Sequence, residues 1–122
     1  MIKQFTSFTQ QKGEKGEQAA VTHLQKEGFV IVERNVPNKY GEIDIVARKG
    51  RVTHFFEVKT GMQESWFNPA DNMSETKIKK FLVSVQYYCL VHRVKECRVT
   101  LLLVKLPRSP GKDPTIELLP LP

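Results

Sequence analysis

The chain has 122 residues, 40% of them hydrophobic, with 19 Lys and Arg against 13 Asp and Glu and a formal charge of +6. That length predicts one domain able to bury about two-thirds of its unfolded surface, and no apolar run reaches the roughly eighteen residues of a membrane span. Met1-Ile2-Lys3-Gln4-Phe5-Thr6 has no apolar core for a signal peptide. Cys89 and Cys97 fit neither a zinc nor a CxxC spacing, so the expectation is a cytoplasmic protein with reduced thiols. The excess of positive charge favours a polyanionic partner without identifying one.

In chain order, a helix is expected from about Thr9 to Glu27, with Glu17, Ala20, Val21 and Leu24 at helical spacing and Gly28 as its stop. Gly13 and Gly16 weaken its first turns. Phe29 to Arg34 reads as a strand halted by Asn35-Val36-Pro37-Asn38. Gly41 to Ala47 and Val52 to Thr60 read as two further strands joined by a turn at Arg48-Lys49-Gly50-Arg51. A polar loop from Gly61 to Asn72 carries Trp66, Phe67 and Pro69. Ser74 to His92 is the clearest helix, with Ile78, Phe81, Leu82, Val85 and Cys89 in one apolar stripe. Arg98 to Val104 is a buried strand. The proline-rich tail from Pro107 to Pro122 is expected as irregular surface chain, or to add an edge strand at Thr115 to Leu119. The order is an α/β αβββαβ core over about residues 13–106, a mixed central sheet flanked by helices.

The turn between the second and third strands positions the chemistry. If Lys49-Gly50 forms a two-residue loop, Arg48 pairs with Arg51 and Asp44 stands opposite Phe55, with Glu57 diagonal to Asp44 at roughly 7–8 Å. Alternation then places Asp44, Glu57 and Lys59 on one face and Ile43, Ile45, Phe56 and Val58 on the other. On a solvated hairpin such acids and lysines are cross-strand ion pairs. This hairpin is apolar on both faces, as a doubly covered sheet requires, and acids there must be paired or bound to a cation. Two carboxylates and a lysine suit metal-assisted cleavage of a phosphodiester, in which a divalent ion acidifies the attacking water and polarises the phosphate.

Gly16-Glu17 with Ala20 and Leu24, Arg34-Asn35, Gly41-Glu42-Ile43-Asp44, Phe56-Glu57-Val58-Lys59-Thr60, and Lys77 opening a helix with Tyr87-Tyr88 resemble the YraN-like family of predicted endonucleases. That family is similar to the PD-(D/E)xK superfamily, which has the restriction endonuclease-like fold and includes Holliday-junction resolvases. The resemblance runs from about Gly13 to Leu106. It implies Asp44 and Glu57 as metal-binding acids, Lys59 as the motif lysine and Glu17 as the first-helix acid that completes the site, with Mg²⁺ or Mn²⁺ as cofactor. It also implies DNA as partner, with branched or recombination intermediates as one class, and leaves a homodimer open. Two positions depart from the pattern: Gly61 stands where the family usually has arginine, and residues 36–38 lack basic side chains.

Lys77, Lys79 and Lys80 either touch phosphates or form a solvated helix face, with Lys77 and Lys80 the stronger candidates. Thr60 and Gln86 are further candidates for the nucleic-acid cleft, as is Tyr87. Glu42 either joins the site or pairs with Lys59. Trp66 and Phe67 either stack on bases or plug the loop over the sheet. His23, His54 and His92 form no ligand cluster. Two classes of function remain: a metal-dependent deoxyribonuclease, and a non-catalytic nucleic-acid-binding or accessory protein that keeps the same fold.

Overall fold

The computed structural model describes residues 8–63 and 74–122. The expectations for Trp66 and Phe67 lie outside them. The elements are α1 (Phe8–Lys26), β1 (Val30–Asn38), β2 (Gly41–Lys49), β3 (Val52–Met62), α2 (Glu75–His92), β4 (Cys97–Leu106) and β5 (Thr115–Pro120). They form a mixed α/β architecture with one five-stranded sheet in the order β1-β2-β3-β4-β5. All neighbours run antiparallel except β3 and β4. The parallel pair needs a crossover, and α2 supplies it.

Each helix covers one face. Ala20, Val21 and Leu24 on α1 are buried with Ile45, Ala47, Phe56, Leu102 and Val104. Phe81, Val85 and Tyr88 on α2 are buried with Ile43, Val46 and Phe55. The sheet is therefore sandwiched, which explains the apolar residues on both faces of its central strands. Gly28, at φ 95°, ends α1 by letting the Phe29 amide reach back to the Leu24 carbonyl at 2.9 Å. Ser74 caps α2, its side chain accepting from the Lys77 amide at 3.1 Å.

Several expectations change. The β2–β3 loop is Gly50-Arg51, because Lys49 pairs with Val52, so the register is Ile45 opposite Phe56 rather than Asp44 opposite Phe55. This shift of two residues keeps the parity of the faces. Ile43 and Ile45 nevertheless lie on opposite faces, since β2 loses its alternation at Asp44, where its pairing with β3 has ended. β1 does not stop at Asn35: Val36, Pro37 and Asn38 pair with Ile43, Glu42 and Gly41. Pro37 lies on an edge strand, where a missing amide is tolerated. Gly61, expected to open a loop, is buried in β3 opposite Lys105. In the tail, the strand is what forms: β5 pairs with β4 from Thr115 opposite Lys105 to Pro120 opposite Thr100.

Candidate active site

The two central acids meet where β2 and β3 part. Their ladder runs from Lys49 and Val52 to Ile45 and Phe56. One position further, the Asp44 carboxylate takes over as acceptor: Oδ2 receives the Val58 amide hydrogen at 2.8 Å. The Asp44 and Glu57 side chains are hydrogen-bonded to each other. Asp44 lines cavities on both sides of this point. One, about 300 Å³, is bounded by Lys12, Gly13, Glu17, Val58, Lys59 and Thr60. The other, about 260 Å³, is bounded by Tyr40, Glu42, Glu57, Lys77, Lys80 and Ser84, among others.

Burial is the main electrostatic force on this pair. It raises the Asp44 pKa to about 6, opposed by the Val58 hydrogen bond and reinforced by the charges of Glu17 and Glu42. Burial, the Asp44 charge and the hydrogen bond to Asp44 push Glu57 up to about 8, opposed by Lys77. With both values raised, the pair keeps a proton at neutral pH, held between its two carboxyl groups. Lys59 is shifted downward by burial and by the charges of Lys77 and Lys12, against the pull of Glu57.

Glu17 is positioned differently from the other acids. Arg34 on β1 binds its carboxylate at 3.2 Å and also reaches Glu14 at 3.6 Å. Burial raises the Glu17 pKa, and Arg34 opposes that rise. The approach of α1 to this cleft depends on Gly16, where a Cβ would lie 2.8 Å from the Thr60 Cβ. No group of three or more His, Cys, Asp or Glu residues is arranged to hold a metal among the described residues. The Asp44–Glu57 pair still fits a hard cation in its donor chemistry. Mg²⁺ is characteristically held by one or two carboxylates, with water and substrate phosphate completing its shell.

Of the residues expected at the site, Glu17, Asp44, Lys59 and Thr60 line the first cavity, and Asp44, Glu57, Lys77 and Lys80 the second. Gln86 is exposed and lines neither. Lys77, Phe81 and Ser84 present one helix face to the cleft, and Gln86 falls on another. Glu42 faces the second cavity and makes no ion pair with Lys59 among the described residues. His54 is accounted for by ring contacts with Phe29 at 4.8 Å and Phe56 at 6.0 Å.

Sequence reasoning missed Lys12, Tyr40 and Ser84. Lys12 is one helical turn before Gly16 on α1, which is the signal that could have found it. It is shared with a basic cavity of about 440 Å³, lined by Lys15, Arg108 and Lys112, among others.

The family model described as Uncharacterised protein family UPF0102 matches residues 16–104. The chain belongs to the UPF0102 family. This is the YraN-like group expected from the motifs. A UPF0102 protein of Sulfurovum sp. is 44% identical over 77 residues, covering 62% of this chain and 66% of that protein. A UPF0102 protein of Helicobacter hepaticus is 44% identical over 85 residues, covering 70% of this chain and 74% of the relative. One from Campylobacter lari is 37% identical over 84 residues, with coverage of 69% and 73%. The UPF0102 match includes Glu17, Asp44, Glu57, Lys59, Lys77 and Lys80, and leaves out Lys12 and the β5 segment.

Proposed function

We propose that this protein is a metal-dependent endonuclease that hydrolyses DNA phosphodiester bonds, on a core of the restriction endonuclease-like type. Supporting that core are the mixed sheet, the helix on each face and the α2 crossover between parallel strands. The observation that carries the function is the hydrogen-bonded Asp44–Glu57 pair at the parting of β2 and β3, with Lys59, Lys77 and Lys80 around it. Asp44 and Glu57 would hold Mg²⁺ or Mn²⁺, and Glu17 would join them on leaving Arg34. The bound ion would supply an acidified water and neutralisation of the phosphate. Val58 fixes the direction of the Asp44 carboxylate. Lys59 would orient the attacking water or balance charge at the phosphate, and Lys77 and Lys80 would hold the flanking backbone.

Branched or recombination intermediates are the substrates that the motif resemblance suggests, with the cytoplasm as the setting and a homodimer as an open arrangement. No helix among the described residues is long and apolar enough to cross a membrane. The alternative, a nucleic-acid-binding or accessory protein without turnover, is favoured by the Arg34 pairing of Glu17 and by Gly61 in place of the family's usual arginine. A panel of duplex, single-stranded, flap and four-way-junction DNA, incubated with Mg²⁺ and Mn²⁺, tests the nuclease. Cleavage of at least one substrate that is abolished by Asp44→Ala is expected. Binding of all four without cleavage would leave the accessory protein.

A further inference from the structure

Beside the acid cleft lies another cavity, of about 400 Å³, lined by Lys39, Tyr40, Thr76, Lys79, Lys80 and Val83. It shares Tyr40 and Lys80 with the cavity lined by Asp44 and Glu57, so the two adjoin. The Tyr40 ring comes from the β1–β2 turn and the Tyr87 ring from α2. Their centroids are 6.0 Å apart at an interplanar angle of 64°, and the residues are 40% and 42% exposed.

The platform is built rigidly. The Tyr40 amide donates to Asn38 Oδ1 at 2.8 Å, closing the turn. Gly41 follows at φ 147°, a conformation that side-chain-bearing residues rarely adopt. Ser84, almost fully buried, lies within hydrogen-bonding distance of Asn38 Oδ1 at 3.3 Å and the Lys80 carbonyl at 3.0 Å, fastening the turn to α2. The cations around the rings select the occupant. The Lys39 ammonium lies 5.2 Å from the Tyr40 ring centroid, and Lys79 and Lys80 line the same cavity. Exposed aromatic faces among lysines are the arrangement that binds single-stranded nucleic acid, with bases on the rings and phosphates on the ammonium groups. In a duplex both faces of a base are already covered by its neighbours.

We propose that Tyr40 and Tyr87, with Lys39, Lys79 and Lys80, form a stacking site for an unpaired nucleobase adjoining the acid cleft, so that the substrate is nucleic acid with an unstacked nucleotide near the reacting phosphate. The placement of that phosphate rests on the nuclease function proposed for Asp44 and Glu57; the stacking site does not require turnover. Tyr87 also continues an exposed apolar row on α2 with Val83, Leu90 and Val91, and self-association through that row is the competing outcome.

The test is binding of the full chain, without divalent metal, to single-stranded and fully paired oligonucleotides containing 2-aminopurine. Wild-type protein is expected to quench 2-aminopurine in the single strand. Tyr40→Ala and Tyr87→Ala should each remove the quenching and weaken single-strand binding about tenfold, leaving duplex binding within about twofold. Tyr40→Phe, which keeps the ring, should behave as wild type. Equal losses on both substrates, no loss on either, or a dimer-to-monomer change in sedimentation with unaltered quenching would each overturn the site. Metal-free binding separates the two claims. Quenching by a protein that cleaves nothing keeps the stacking site and removes the nuclease, whereas cleavage unaffected by loss of either ring does the reverse.

Discussion

Asp44 Oδ2 accepts the Val58 amide hydrogen at 2.8 Å, where Asp44 is one position and Val58 two positions beyond the last paired residues of β2 and β3. A side-chain carboxylate thus satisfies an amide that the departing strand no longer reaches. Its direction is set by the backbone of the strand that carries Glu57 and Lys59 on either side of Val58. This is the local reason that the acids share one cleft although β2 has lost its alternation.

That hydrogen bond separates two substitutions. Asp44→Asn keeps an acceptor for Val58 while removing the buried charge, and should stabilise the metal-free protein at pH 8. Asp44→Ala leaves the Val58 amide without its partner, a loss of about 1–3 kcal/mol that offsets the relief of charge. Denaturant unfolding of the two variants at pH 8 should place Asn above wild type and Ala below Asn.

The acid pair also sets a pH dependence. Asp44 and Glu57 have folded pKa values of about 6 and about 8, above their ordinary values. Raised folded values mean that their contribution to stability is full below about pH 4 and is lost as pH climbs through 6 and 8. Metal-free wild type should therefore lose stability between pH 5 and pH 8. The double variant Asp44→Asn with Glu57→Gln should lose much less, measured by urea denaturation at both pH values.

Gly13 and Gly16 occupy the same helix and should respond in opposite directions. A Cβ at Gly13 meets nothing within 4 Å, whereas at Gly16 it would crowd the Thr60 side chain back to its Cβ. Gly13→Ala should stabilise by about 0.5–1 kcal/mol through helix propensity. Gly16→Ala should destabilise by about 1–3 kcal/mol, because rotating Thr60 cannot remove a clash with its own Cβ. Thermal unfolding of the pair checks both signs.

For nucleic acid, Lys77→Ala and Lys80→Ala should weaken DNA binding for all sequences alike. Each should lower the slope of log affinity against log salt by about one unit. Slopes equal to that of wild type in both variants would place DNA away from α2.

The order of elements was legible because local signals agreed: helical spacing in α1 and α2, β-branched runs in the strands, and glycine after α1. The shared cleft was legible too, since Asp44 and Glu57 belong to adjacent strands and each stands one position beyond the last paired residues. The side assignment of Ile43 was not, because it depends on where β2 leaves β3, a tertiary event without a local signature. The extension of β3 through Gly61 was hidden for the same reason: its partner, Lys105, lies 44 positions along the chain. Tyr40 belongs to no motif, and its place beside the cleft comes from Asn38 and Ser84, which tie that turn to α2.

Calorimetric titration of the full chain with Mn²⁺, with and without DNA, tests the proposed metal site most directly. The acid pair keeps a proton at neutral pH, so wild type should bind the ion with proton release, detected by repeating the titration in buffers of different ionisation enthalpy. Asp44→Ala and Glu57→Ala should abolish the binding, and Lys59→Ala should retain it while losing cleavage. Wild-type protein that takes up no Mn²⁺ even with DNA present, or an Asp44→Ala variant that binds it as wild type does, would contradict the assignment of these two acids as the metal-binding centre.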